Sequence, residues 1–267
     1  MKTTVRFEVL DAWRGIAALL VAVFHFNALH HAAYMPFVRN SYLFVDFFFV
    51  LSGFVIAHAY ADRLDTVSDA AVFTMRRFGR VWPLHVAVLS AFAVFECQRW
   101  LSALVQGLEF VPFNATGAVP RGDLAYQITM THVLGFASRL TWNGPNWSIS
   151  AEFWTYVIFA AVSVVAPVRW RTAVLAILGA GSGMFLIARS SHGMDVTLDL
   201  GLSRCIFGFA TGIMVYEFRQ ATSSKARWAN GATEIAAVAM VAGYVSYAGH
   251  SDASFLAPFV FASKLKT

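Results

Sequence analysis

Apolar runs about as long as a bilayer crossing, and nearly free of charge, recur from one end of this sequence to the other. A helix needs ~20 mostly apolar residues to cross the hydrocarbon layer. The runs that meet this description are Gly15–Ala33, Tyr42–Tyr60, Val81–Leu104, Trp147–Pro167, Thr172–Ala188, Leu198–Phe218 and Ala232–Ala248, and Phe255–Ala262 begins one more. They also explain why only 13% of the 267 residues are charged, where a soluble domain carries ~25%. The expectation is an all-α, polytopic transmembrane helical bundle of about eight spans plus a partial one. It forms a single membrane-embedded domain over residues 1–267 and leaves no room for a soluble one.

One segment, Leu124–Ser138, is weaker because it contains Gln127, Thr129, Thr131 and His132. The basic clusters bear on its path: Lys2/Arg6, Arg63/Arg76/Arg77/Arg80, Arg169/Arg171 and Arg219/Lys225/Arg227. Lys and Arg collect in cytoplasmic loops. With the N-terminus cytoplasmic, all four clusters stay inside only if Leu124–Ser138 fails to cross. It therefore reads as a re-entrant or surface-lying segment. The loop before it, Gln106–Asp123, holds Pro112, Asn114, Gly117, Pro120 and Gly122 and reads as irregular and extracytoplasmic.

Several function classes fall away. The net charge of +5 is what cytoplasmic loops of a membrane protein supply. There is no basic helix or zinc-ligand pattern, so nucleic acid is not expected as a partner. Cys97 and Cys205 are far apart and form no Cys-x-x-Cys pair, which speaks against a disulfide framework or a metal site. Met1–Ala33 loosely imitates a signal peptide, but Asp11 and Arg14 at the edge of its apolar stretch, and His25 within it, argue against cleavage.

Ionisable residues inside apolar spans are costly and mark functional positions. In the first span Asp11, Arg14, Ala18, Val21 and His25 are spaced three, four, three and four apart, so they form one helical stripe. Arg14 and His25 lie about 16 Å apart along such a helix. This describes a polar track entering the bundle, or a snorkelling Arg14 paired with Asp11 and a histidine satisfied by a carbonyl. In VDFFFVLSGF, Asp46 stands where hydrocarbon is expected, as an interhelical bond or the partner of a basic group. Ser52-Gly53 reads as a site element or a packing notch. In MRRFGRVWPLH, Arg77 and Arg80 project together if the connector is helical, and two guanidiniums suit a phosphate or pyrophosphate. A topological charge cluster explains them equally well.

In NGPNWSISAEFWTY, Ser148, Glu152 and Tyr156 follow at i, i+4 and i+8 on one face. The carboxylate there can orient a base, bind a hydroxyl, or bond a neighbouring helix. Trp147 and Trp154 suit interfacial anchors. In the later span Arg204, Gly208 and Gly212 are spaced four apart, giving a small-residue groove and a positive charge that either faces the cavity or is structural.

As an ordered set, LDAWRGIAALLVAVFH, VDFFFVLSGF, RRFGRVWPLH, NWSISAEFWTY and RCIFGFATGIMVYE resemble the membrane-bound acyltransferase family 3. These are bacterial enzymes that O-acetylate polysaccharide, lipopolysaccharide and peptidoglycan. The resemblance runs from about Leu10 to Glu217. It implies an O-acetyltransferase, transferring groups other than aminoacyl groups, embedded in the bacterial inner membrane. Acetyl-CoA would be the acyl-donor substrate on the cytoplasmic side, with no tightly bound cofactor, and a cell-envelope or exported saccharide or glycolipid the acceptor. By the same resemblance Arg14 and His25 are the family's essential arginine and histidine, Arg77 and Arg80 its Arg-x-x-Arg, and Trp147, Ser148 and Glu152 its Trp-Ser-x-x-x-Glu. His25 and Glu152 are then expected as catalytic, Arg14, Arg77 and Arg80 as donor-binding, and Asp11, Asp46, Ser52, Gly53, Trp147, Ser148, Tyr156 and Arg204 as supporting. Members of the family have about ten spans, so this domain is expected to lack the last helices. A multi-pass transporter or flippase-like protein, or an inactive truncated homologue, is the alternative.

Overall fold

The computed structural model describes residues 8–26, 34–60, 63–114, 116–222 and 231–263. All regular structure among the described residues is helical. The α-helices are α1 (Glu8–His25), α2 (Pro36–Arg39), α3 (Phe44–Tyr60), α4 (Val67–Val105), α5 (Leu124–Ile128), α6 (Trp147–Val165), α7 (Val168–Arg189), α8 (Gly201–Thr222), α9 (Gly231–Ala248) and α10 (Ala257–Ala262). The chain divides into two compact units. The first comprises Met1–Ala61, Thr172–Val196 and Ile206–Thr267, and the second Asp62–Arg171 and Thr197–Cys205.

In the first unit α3 is the central helix. Before its last turn the sequence is apolar on every side but for Asp46 and Ser52, which suits a helix shielded from water all round. Phe44, Asp46, Phe47, Phe49, Val50, Leu51, Gly53, Phe54, Ile56 and Ala57 are all buried. α1 and α10 pack against it, and Phe261 brings its ring to 5.4 Å from Phe44 and 5.8 Å from Phe47. α8 approaches α3 through glycines. A Cβ on Gly53 would stand 1.9 Å from the Phe209 carbonyl oxygen, one on Gly212 1.9 Å from that of Val50, and one on Gly208 2.9 Å from Phe49 Cβ. The two backbones touch where three side chains are missing, which is how small residues bring membrane helices together.

The second unit is built on α4 and α6. Thr66 and Asp69 start α4 with a capping box: Asp69 N donates to Thr66 Oγ1 at 3.1 Å and Thr66 N to Asp69 Oδ2 at 3.0 Å. The helices run antiparallel, since Phe73 meets Phe159 at 5.8 Å while Phe78, later in α4, meets the earlier Phe153 at 5.7 Å. The loop Gln106–Asp123 is irregular as expected, yet anchored. Phe113 N donates to the buried Glu96 at 3.3 Å, and Trp142 Nε1 to Pro120 O at 2.9 Å.

Several expectations are revised. The span expected to begin at Val81 begins earlier: the connector carrying Arg76, Arg77 and Arg80 is helical, the condition for Arg77 and Arg80 to project together, and lies within α4, a helix of 39 residues. Such a helix is about 58 Å long, nearly twice the ~30 Å hydrocarbon thickness, so its charged first third and its apolar remainder form one rod. Leu124–Ser138, by contrast, behaves as expected of a segment that does not cross: it is broken into the five-residue α5 and a 3-10 turn at His132–Leu134, and a helix of that length reaches only about 8 Å. Among the described residues, Ser41–Tyr60, Val67–Val105, Gly144–Val165 and Val168–Arg189 are long and apolar enough to cross, with Ile235–Ala248 and Asp252–Ala262 shorter apolar helices. Four is fewer than the expected count of about eight spans. The first expected span, Gly15–Ala33, is described only to Phe26, and α8 interrupts its apolar run with Arg204, Glu217 and Arg219. Lys2, Arg6, Lys225 and Arg227 lie outside the described residues.

Candidate functional site

In the second unit, α6 presents Glu152 and Tyr156 one turn apart, and the Tyr156 hydroxyl donates to Glu152 Oε1 at 2.5 Å. Packing of α4 on α6 brings Arg77 to this pair. Its guanidinium carbon lies 5.6 Å from the Phe73 ring centroid and 5.8 Å from that of Tyr156, within reach of cation–π attraction. Arg77 is half-buried and Arg80, one turn on, is exposed. An anion arriving at this helix face therefore meets one guanidinium held by aromatic rings and one open to the medium.

Nearer the start of α6, Trp147 receives the guanidinium of Arg204 at 5.4 Å. Arg204 is 1% exposed, among the largest fully buried side chains. A Cβ on Gly201 would lie 2.8 Å from the Trp147 ring, so the indole rests on the first turn of α8. Ser148 points elsewhere: its hydroxyl donates to Pro145 O at 3.0 Å and closes the turn that begins α6.

The remaining expected residues belong to the first unit. Arg14 Nη1 bonds Asp11 Oδ1 at 2.9 Å, both side chains partly exposed. The stripe from Asp11 to His25 is helical as its spacing requires, but α1 ends at His25, which is exposed beside Phe24 at 4.9 Å between ring centroids. His25 is thus at the terminus of the described helix and not in its middle. Asp46 is fully buried in α3, close enough to Tyr244 to act on it electrostatically. Gly53 is the packing notch against Phe209, and Ser52 precedes it on α3. An apolar groove of about 440 Å³ between α7, α8 and α10, walled by Ala176, Gly179, Phe207, Ala210 and Met214 among others, has no ionisable residue in its lining and supplies no chemistry.

A polar network in the second unit escaped the reading of the sequence. His85 Nε2 lies 2.8 Å from Gln127 O, so it is the donor, and the ring, 2% exposed, keeps a buried Nδ1 without a hydrogen-bond partner. Asn146 Nδ2 donates to Gln127 Oε1 at 2.5 Å, and Gln127 Nε2 donates to Thr141 Oγ1 at 3.3 Å. Thr141 in turn donates to Asp123 at 2.9 Å. The ring of His132 stacks on His85 at 6.5 Å, with its nitrogens 3.3 Å from Tyr126 O and 3.4 Å from Asn146 O. The signals available were His85 within the RVWPLH motif and the polarity of Leu124–Ser138.

Burial holds the His132 pKa below the usual 6.5, against the two carbonyl contacts that would raise it, with the nearby His85 adding to the lowering. Its unfolded counterpart binds a proton first as the pH falls. The stability His132 contributes is therefore complete above pH 6.5 and declines as the pH falls through the lower folded value. Thermal melts of purified protein should show a lower midpoint at pH 5.5 than at pH 7.5, and His132→Gln should flatten that difference. Equal slopes in both proteins would contradict the assignment.

Comparison with known proteins adds two findings. The acyltransferase domain of the acyltransferase 3 type matches residues 7–263. A protein of Rhizobium radiobacter described as "Protein 2 in picA locus" is 33% identical over 183 residues, which cover 64% of this chain and 90% of that protein. No solved structure matches.

Proposed function

The chain belongs to the acyltransferase 3 family, a family of membrane proteins, and from that premise we propose that it moves an acetyl group from acetyl-CoA to a hydroxyl of a cell-envelope or exported saccharide. The observation that carries the reading is the Arg77–Tyr156–Glu152 cluster, assembled from two of the family's motifs by the packing of α4 on α6. Arg77 and Arg80 hold the phosphates of the donor, since guanidinium groups match phosphate geometry. Arg14 contributes a further positive charge to the donor. His25 takes the proton of the acceptor hydroxyl as its oxygen attacks the thioester carbonyl; the C–S bond breaks and the thiolate of CoA leaves with a proton. Imidazole is the side chain that most readily takes up and releases a proton in the neutral range, which suits that exchange. Glu152, bonded to Tyr156, orients groups at the donor end.

The protein sits in the inner membrane with its N-terminus and the start of α4 on the cytoplasmic side, where the positive charges of Arg76, Arg77 and Arg80 favour that address. Its helices make about eight crossings. The direct test is mass spectrometry of envelope and secreted glycans from cells with and without the gene. The proposal expects glycans lighter by one acetyl group per modified site when the gene is absent. Identical glycan acetylation in both would overturn it.

A further inference from the structure

The first unit carries a second ionisable cluster, built on residues outside the expected site. The ring of His250 stacks on Tyr42, 5.5 Å between centroids and 10° from parallel. Its Nδ1 lies 3.3 Å from Asp195 Oδ2, and the two side chains are 50% and 42% exposed. Tyr42 is itself buried and touches Phe24, the residue before His25, at 6.0 Å. The cluster and His25 thus lie at the same end of the unit, joined through one aromatic contact.

The segments bearing these groups are held in place. The Tyr42 hydroxyl donates to Gly249 O at 2.6 Å and Asn40 Nδ2 to Val245 O at 2.8 Å, fixing the turn before His250. Gly249 has φ +47 and Gly193 φ +61, values that side-chain-bearing residues rarely adopt. A Cβ on Gly193 would stand 2.2 Å from Ser254 Oγ, the same hydroxyl that accepts from Met194 N at 2.8 Å. The loop of Asp195 and the loop of His250 are therefore locked to each other through the fully buried Ser254.

We propose that Asp195, His250 and Tyr42 form the subsite for the acceptor, and that the acceptor it takes is a neutral polyhydroxylated ring. The inference rests on the transfer reaction proposed above for His25. One face of the His250 ring lies on Tyr42, and the other is a flat, supported aromatic surface of the kind that packs against the C–H face of a pyranose. With Nδ1 turned to Asp195, His250 keeps Nε2 as a second polar edge, and the carboxylate has a second oxygen to offer. Hydroxyls on adjacent ring carbons, each able both to donate and to accept, match these two polar groups side by side. An anionic ligand would meet the Asp195 carboxylate, and an acyl chain would desolvate it at a cost; neither fits.

Binding measured by saturation-transfer NMR on the full chain in lipid nanodiscs tests this without requiring turnover. The probes are methyl β-glucopyranoside, methyl α-mannopyranoside and methyl β-galactopyranoside, with 1-butanol as a monohydric control. At least one glycoside should give a saturable signal with the unaltered protein, and butanol none. His250→Ala and Asp195→Asn should each weaken that binding about tenfold or more, as the loss of a hydrogen bond to a charged group does, while Asp252→Asn, an exposed carboxylate two residues past His250, leaves it intact and controls for folding. No glycoside signal, or a signal indifferent to both substitutions, overturns the subsite. Glycoside binding that depends on both residues in a protein that never turns over acetyl-CoA instead counts against the transferase reading, so the two failures are distinguishable.

Discussion

Gly212→Ala and Gly53→Ala should each prevent the first unit from reaching its native packing. The added methyl would lie 1.9 Å from a backbone carbonyl oxygen in both cases, Val50 O for Gly212 and Phe209 O for Gly53. Backbone cannot swing aside as a flexible side chain would, so α3 and α8 must separate. The cost is at least about 3 kcal/mol, the upper end for one extra methyl in a packed core. Gly15→Ala is the control, because a Cβ there meets nothing within 4 Å. Expression level and thermal inactivation in detergent read the effect. Wild-type stability in Gly212→Ala would mean that the close approach of α3 and α8 is wrong.

The second large effect concerns chemistry. His25→Ala should lower transfer to the acceptor by about 10²- to 10⁴-fold, the range a positioned general base contributes. Stability should change little, because His25 is exposed at the end of α1 and exposed positions carry little packing energy. Initial rates of CoA release at saturating donor and acceptor measure it. A His25→Ala protein within threefold of the wild type would remove His25 from the reaction.

The features that were legible in the sequence share a physical reason: each depends on residues close together along the chain. α3 announced itself as a helix shielded from water because Tyr42–Tyr60 is an almost unbroken apolar run. The Glu152–Tyr156 bond and the Asp11–Arg14 pair followed from spacings of four and three. The start of α4 was hidden because apolar runs report the lipid-facing part of a helix, and Arg76, Arg77 and Arg80 interrupt the run without interrupting the helix. Gly53 read equally as site or notch until Phe209 was seen against it. The network of His85, Gln127, His132 and Asn146 joins positions 42, 19 and 14 residues apart. No local periodicity links such positions, so only the tertiary fold brings them together. Arg77 meeting Tyr156 is of the same kind.

The most direct test of the transferase reading is to supply radiolabelled acetyl-CoA to the purified protein in sealed proteoliposomes together with a saccharide fraction from the cell envelope. Label should move to the saccharide with stoichiometric release of CoA, and His25→Ala should abolish both. Saccharide that crosses the bilayer unlabelled while acetyl-CoA stays intact would contradict the account and identify a transporter.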